Sequence, residues 1–201
     1  MGLVLRRRRT LPILETERMV LRLPEMRDYS NWSTLRREGE DFLRPWEPAW
    51  SPDHFSKRSF RARVYWASRA RDDGRALSMF LISRHNEELL GAITLDNIRR
   101  GPAQTGSVGY WIGPNHARQG YMSEALLAVT DHAFSVLDLS RIEAACLPEN
   151  TPSRGLLQRS GFVEEGRAES YLQINGQWRD HVLYSKLRLD RRQYRHMESE
   201  F

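Results

Sequence analysis

The chain has 201 residues, 40% of them hydrophobic and 28% charged, with a formal net charge of +5. That length supports a full hydrophobic core, and the composition is that of a globular protein rather than a disordered or fibrous one. No apolar run approaches the roughly 18 residues that would span a bilayer, and a single cysteine, Cys146, excludes an internal disulfide.

Residues 1–15 read as a basic N-terminal arm with four consecutive arginines, Arg6 to Arg9. The apolar stretch after them is too short for a signal-peptide core. Arg6 also stands where a myristoylation signal needs Ser or Thr. Cytoplasmic residence is the default expectation for a chain with one cysteine. Residues 188–201 read as a basic tail, with arginines between Arg188 and Arg195. Each arm is either a solvated surface feature or an attractor for an anionic partner such as RNA or a phosphorylated cofactor.

Residues 16–187 read as one domain. "RMVLRLP" alternates and predicts a first strand ended by Pro24. Asp28 is the expected cap of a helix running to about Arg37. "DFLRPWEPAW" predicts an irregular aromatic loop. Ser51-Pro52 is a good cap-and-first-residue pair for a second helix to about Arg71. "ALSMFLIS" and "ELLGAITLDN" predict two strands joined by "RHNE", and "GSVGYWIG" a further, central strand. Met122, Ala125, Leu126, Val129, Ala133 and Leu137 recur at helical steps, so a helix starts near Gly120. "RIEAACL" is the next strand. Thr151-Pro152 opens a short helix closed by Gly161. Asn175-Gly176 between two alternating runs predicts a hairpin. The resulting class is α/β (α+β): helices on a mixed, mainly antiparallel sheet.

The stretch "GYWIGPNHARQGYMSEALL" leaves a strand and opens a helix. Free N–H groups and the helix dipole favour a bound anion there. Gly120 has no Cβ to keep a ligand from the backbone. Arg118 can add a bidentate phosphate contact. Gly113-Pro114 as a plain turn and Gly120 as a plain helix start fit the local residues equally well. Neither a P-loop nor a dinucleotide fingerprint is present.

Downstream, "RIEAACLPENTPSRGLLQRSGF" ends a strand at Pro148-Glu149-Asn150 and places Ser153 on the following helix. Together with "GYWIG…RQGYMSEAL", this resembles the GNAT superfamily of acyl-CoA-dependent N-acetyltransferases. The resemblance runs from about Thr16 to Leu187 and is nearest to the RimJ/RimL branch, which acetylates N-terminal amines of ribosomal proteins. It implies acetyl-CoA as cosubstrate, with no metal. Arg118, Gln119, Gly120, Tyr121, Met122 and Ser123 would cradle its pyrophosphate. The strand end Tyr110-Trp111-Ile112 would splay from its neighbour and bond the pantetheine arm. Asn150 would bond that arm from the far side, and Ser153 would lie near the sulfur. The family loop reads Gln/Arg-x-x-Gly-x-Gly/Ala. Here Ala117 takes the first place and Met122 the last, so Arg118 is the expected supplement to the amides.

Acetyl transfer to an amine needs a neutral amine, orientation, oxyanion stabilisation and a proton for the leaving thiolate. An α-amine is roughly a tenth neutral at pH 7, a lysine amine about one part in two thousand. An N-terminal acceptor therefore needs only a weak base. Glu143, on the face of Ala145, is either a proton relay or a surface ion pair. Ser153 is either a thiol-side donor or an ordinary capping residue. Many family members carry a tyrosine seven residues after the Asn, and Leu157 stands there. Tyr184 and His181 in the hairpin strand are weaker candidates for the general acid, expected rather to pack or to lie at the surface. His116 is expected to face solvent. His132 has no second ligand at i+4, so a metal site is not expected. Gly155 reads as close helix packing or as room for the cofactor. Trp46 and Trp50 read as an acceptor wall or as core. Three functions are thus open. The first is N-terminal acetylation of a ribosomal protein, with an alanine of the small subunit foremost. The second is acetylation of a small amine such as a polyamine or antibiotic. The third is a silent RNA- or ribosome-binding module.

Overall fold

A computed structural model describes residues 14–189. The arginines Arg6 to Arg9, and the tail beyond Leu189, lie outside the described residues. Among the described residues eight strands form one sheet. In chain order the elements are β1 (Leu14–Glu15), β2 (Met19–Arg22), α1 (Tyr29–Glu38), α2 (Glu40–Leu43), α3 (Lys57–Asp72), β3 (Leu77–Ser83), β4 (Leu89–Arg99), β5 (Thr105–Ile112), α4 (Tyr121–Ser135), β6 (Arg141–Cys146), α5 (Thr151–Arg159), β7 (Val163–Ile174) and β8 (Gln177–Leu187). The strand order is β1-β2-β3-β4-β5-β6-β8-β7. Pairing is antiparallel except between β5 and β6.

The sheet separates two cores. On one face Ile93, Leu95 and Val108 pack with the α4 residues Met122, Ala125, Leu126, Val129 and Ala133, and with Leu157 of α5. These are the α4 positions that the helical spacing predicts, although the helix stops at Ser135, before Leu137. On the other face Phe80 and Ala92 pack against Trp32 of α1 and Phe60 of α3. Period-2 alternation along β4 explains the division: Ala92 faces α1 and α3, Ile93 faces α4.

Several local expectations change. The second helix starts at Ser56, whose side chain accepts from the Ser59 N–H, not at Ser51-Pro52. The Ser51 hydroxyl is turned instead to Asp53 Oδ1, 2.8 Å away. Asp28 stands at the start of α1, but its carboxylate does not cap that helix. It is buried and held by Arg22 at 2.7 and 2.8 Å. Within the aromatic loop the structure places the short helix α2 and a 3-10 turn, Arg44–Trp46. Gly161, at φ +82°, takes the left-handed turn just after the last residue of the α5 cap, Ser160. At the hairpin tip Asn175 and Gly176 have φ of +46° and +82°, the left-handed pair expected of a two-residue turn.

Candidate active site

The parallel pairing of β5 and β6 covers only Thr105–Arg141, Gly106–Ile142 and Ser107–Glu143. Beyond that point β5 stays with β4 as far as Ile112, and β6 stays with β8 as far as Cys146. The two strands therefore diverge, leaving backbone of Val108 to Ile112 facing a gap. A cleft of roughly 2110 Å³ runs through this gap, from the first turn of α4 to the side chains of α1 and α3.

At one end lies the loop into α4. Gly120 is the residue before the helix, with φ +83°, and Arg118 is also left-handed at φ +61°. Ala117 N–H closes a turn on Pro114, and Glu124 N–H starts the helix ladder on Gly120. Between them, the N–H groups of Arg118 to Ser123 meet no acceptor among the described residues. Successive free amides around left-handed residues form a concave anion nest, and the helix dipole adds to it. A Cβ at Gly120 would meet Arg18 Nη2 at 3.2 Å. These features fit a diphosphate.

Arg18 was not apparent from sequence as part of this loop. Its backbone and side chain bond Glu124 at 2.9 and 2.7 Å, its Nη1 donates to the Gln119 carbonyl at 3.0 Å, and its guanidinium lies 4.4 Å over Tyr121. The partners are 101 to 106 residues away in the chain, so no local pattern could flag them. Gln119 turns its side chain back to the Asn115 carbonyl at 2.6 Å. Arg118, Gly120, Tyr121, Met122 and Ser123 line the cleft, whereas Gln119 does not. Arg118 is exposed.

In the gap, Tyr110, Trp111 and Ile112 line one wall and Asn150 and Ser153 the other. Asn150 Oδ1 accepts from the Ser153 N–H at 3.1 Å, so Asn150 is the cap of α5. The Ser153 hydroxyl is thereby left for the Tyr110 hydroxyl, 2.8 Å away across the gap. Burial pushes the Tyr110 phenol above its ordinary range, although the Ser153 bond opposes the shift. The phenol thus stays protonated near neutral pH, and either hydroxyl can be the donor of the pair. Burial also raises the Cys146 thiol beside it. Leu157, where many family members carry tyrosine, is buried in the core. Tyr184 is buried as well, its hydroxyl 3.0 Å from Glu164 and 3.1 Å from Arg154.

On the far side of the sheet, Glu143 lines the cleft and is also ion-paired. Arg141 Nε is 2.8 Å from one oxygen and Arg99 3.9 Å from the other. Glu143 thus sits in an ion pair at the edge of the cleft. Trp46 and Trp50 line the cleft rather than the core, which is built on Trp32 and Phe60. Trp50 stacks on His54 with centroids 4.7 Å apart. Arg36 clasps Glu47 at 2.5 and 2.7 Å and lies over both Trp50 and Trp111. The hairpin tip reaches this wall, where Asn175 N–H donates to the Glu47 carbonyl at 2.8 Å.

His116 does not face solvent: its side chain is 13% exposed and 3.3 Å from Glu88. His181 is buried, with Nδ1 3.0 Å from the Arg179 carbonyl. Gly155 lies under its own helix's Arg159, whose Nη1 would sit 3.0 Å from an added Cβ. Among the described residues no group of three or more His, Cys, Asp or Glu could hold a metal ion. No described helix is long and apolar enough to cross a membrane.

Comparison with known proteins points the same way. A family model for an acetyltransferase (GNAT) domain matches residues 18–163. The chain is 36% identical over 170 residues to the ribosomal protein uS5-alanine N-acetyltransferase of Escherichia coli (strain K12), spanning 85% of this chain and 88% of that one. It is 32% identical over 180 residues to the probable N-acetyltransferase YjcK of Bacillus subtilis (strain 168), spanning 89% and 98%. Mycobacterium smegmatis RimJ, solved in complex with CoA-disulfide, superposes with a TM-score of 0.80 at 33% identity, over 86% of this chain and 83% of that one. The ribosomal-protein-S5-alanine acetyltransferase of Vibrio fischeri superposes with a TM-score of 0.81 at 31% identity, over 88% and 97%.

Proposed function

The chain belongs to the GNAT acetyltransferase family and is an acetyl-CoA-dependent amine N-acetyltransferase; we propose that its acceptor is the N-terminal α-amine of a ribosomal protein, an alanine of the small subunit foremost. The observation that carries the cofactor side is the run of free amides at Arg118 to Ser123 opening onto the gap between β5 and β6. Support for the acceptor is the likeness to the Escherichia coli alanine acetyltransferase. A catalytic domain over residues 16–187 with basic arms that favour a ribosomal or RNA surface, in the cytoplasm, completes the proposal.

When bound, acetyl-CoA supplies the acetyl group as an activated thioester. In the proposal the loop amides of Arg118, Gln119, Gly120, Tyr121, Met122 and Ser123 bind the diphosphate, with Arg118 and Arg18 adding charge. Backbone groups of Tyr110, Trp111 and Ile112 orient the arm, with Asn150 on the opposite wall. Ser153 Oγ, backed by the Tyr110 hydroxyl, holds a proton for the thiol side. Glu143 takes the amine proton through water. A weak base is enough for an α-amine already partly neutral near pH 7.

The test is acetylation of an alanine-initiated peptide against a panel of free amines, including polyamines. Preference for the peptide by at least about tenfold in kcat/KM, or roughly 1.4 kcal/mol, is the expected result. Preference for a polyamine or an antibiotic amine would move the enzyme to the small-molecule class. Glu143→Gln in the same assay should lose most turnover below neutral pH; a profile identical to the parent protein would remove Glu143 from the reaction.

A further inference from the structure

The carboxylates lining the cleft are Asp41, Glu47, Asp96, Glu143 and Glu165. Most are already engaged. Glu47 is clasped by Arg36 and also accepts from Trp50 Nε1 at 2.8 Å. Glu143 holds Arg141 and Arg99. Glu165 holds Arg141 and accepts from the Ser185 hydroxyl at 2.6 Å. Asp41 is exposed on α2, away from the strand floor. Asp96 differs from all of these. It is half-buried, and its Oδ1 accepts from the neighbouring Asn97 N–H at 2.7 Å. No cation lies within ion-pair distance of it among the described residues.

Its position follows from the sheet. Ala92 faces the α1 and α3 core, so two and four residues on, Thr94 and Asp96 share that face. Asp96 is paired with Ser107, and Ser107 with Glu143. This row is where β5 and β6 begin to part. Immediately after Asp96 the β4–β5 register slips, and Asn97 takes φ +50°. A bulge of this kind re-aims the side chains beside it. Here the bulge's own amide pins Oδ1 of Asp96, and the residue lines the cleft.

Asp96 shares its cross-strand row with Glu143, whose Arg141 partner also holds Glu165. We propose that Asp96 is the acceptor-recognition residue, a carboxylate at the opening of the strands that binds the primary amine of the substrate as it arrives charged. This rests on the amine-acetyltransferase reading above. Asp96 accepts an N–H from the amine in either protonation state, and is its charge partner while it is an ammonium. The α-amine of a peptide and the terminal amine of a polyamine share this chemistry. The row thus selects a cationic head group, while the Trp50 and Trp111 wall meets the body of the acceptor behind it.

The experiment uses Asp96→Asn and Asp96→Glu in the full chain. Acceptor KM is measured with whichever of an alanine-initiated tetrapeptide and spermidine the parent protein acetylates faster. Inhibition by the N-acetylated form of that acceptor is measured alongside, and acetyl-CoA affinity by calorimetry. Asp96→Asn should raise acceptor KM about tenfold, the scale of one charge-assisted hydrogen bond. It should leave acetyl-CoA affinity unchanged and weaken the acetylated form much less than the acceptor, because the acetylated nitrogen is no longer an ammonium. Asp96→Glu should restore most of the loss. An unchanged acceptor KM in Asp96→Asn would overturn the inference, as would equal weakening of the acetylated form. If the parent protein binds acetyl-CoA but acetylates neither amine, the inference falls while the cofactor site stands. Absence of acetyl-CoA binding would take down the reading on which both depend.

Discussion

His54 shows how a single buried ring couples packing to pH. It is stacked on Trp50 and edge-on to Phe55, and its Nε2 finds no partner among the described residues. Burial, then the nearby charges of Arg36 and Arg63, hold its pKa down to about 4. An unfolded histidine titrates near 6.5, so between those values the unfolded chain binds more protons than the folded one. His54 therefore contributes stability above about pH 6.5 and loses it as pH falls toward 4, by at most about 3 kcal/mol. His54→Gln carries no titrating ring. Its unfolding free energy should fall less steeply than the parent's over that window in urea titrations; parallel curves would contradict the assignment. Nothing in the sequence marks His54, because its environment is assembled from α1, the aromatic loop and the turn before α3. By contrast Gly120, Asn150 and Ser153 were legible, since each sits in a short motif whose neighbours in sequence are also its neighbours in space.

Among the elements, β4 carries the tightest constraint. A Cβ on Gly91 would lie 2.4 Å from the Trp111 carbonyl oxygen and 2.9 Å from Ile112 Cα, both backbone atoms that cannot rotate away. The strand pair on which the cofactor gap depends thus needs glycine at this position. Gly91→Ala should cost roughly 2–3 kcal/mol through forced separation of β4 and β5, read as a lower denaturant midpoint. A change under about 0.5 kcal/mol, as at an unconstrained surface site, would show that the strands approach less closely. In the sequence Gly91 is one residue of the strand run "ELLGAITLDN", with nothing to show how closely the next strand approaches it. Most elements were legible because their periods are clean: α4 from its three- and four-residue steps, the closing hairpin from Asn175-Gly176. The start of α3 was misplaced by five residues. Ser51-Pro52 and Ser56 are both good openings, and the choice falls to Ser56 because its hydroxyl reaches the Ser59 N–H. β1, two residues long, has too little pattern to be read.

At the scale of the molecule, the sheet is both partition and passage. It keeps the α4 core apart from the α1–α3 core, and the single parallel junction between β5 and β6 opens the way through. Free amides lie toward one face, the aromatic wall and Asp96 toward the other. Cosubstrate and acceptor can then approach from opposite faces and meet at the gap, which removes competition for a single entrance. The cofactor half of this arrangement was visible in sequence because it is written in two contiguous stretches. The proposed acceptor half was marked only by Trp46 and Trp50, because Arg36, Glu47, Asp96 and Arg141 converge on it from α1, the aromatic loop, β4 and β6. The central claim is that main-chain donors around Gly120 grip the diphosphate. Calorimetric titration of acetyl-CoA into the parent protein and into Gly120→Glu tests it most directly. Saturable binding at one site in the parent, abolished by a carboxylate placed in the nest, is the predicted result; equal affinity in the two proteins, or no heat in either, would contradict the account.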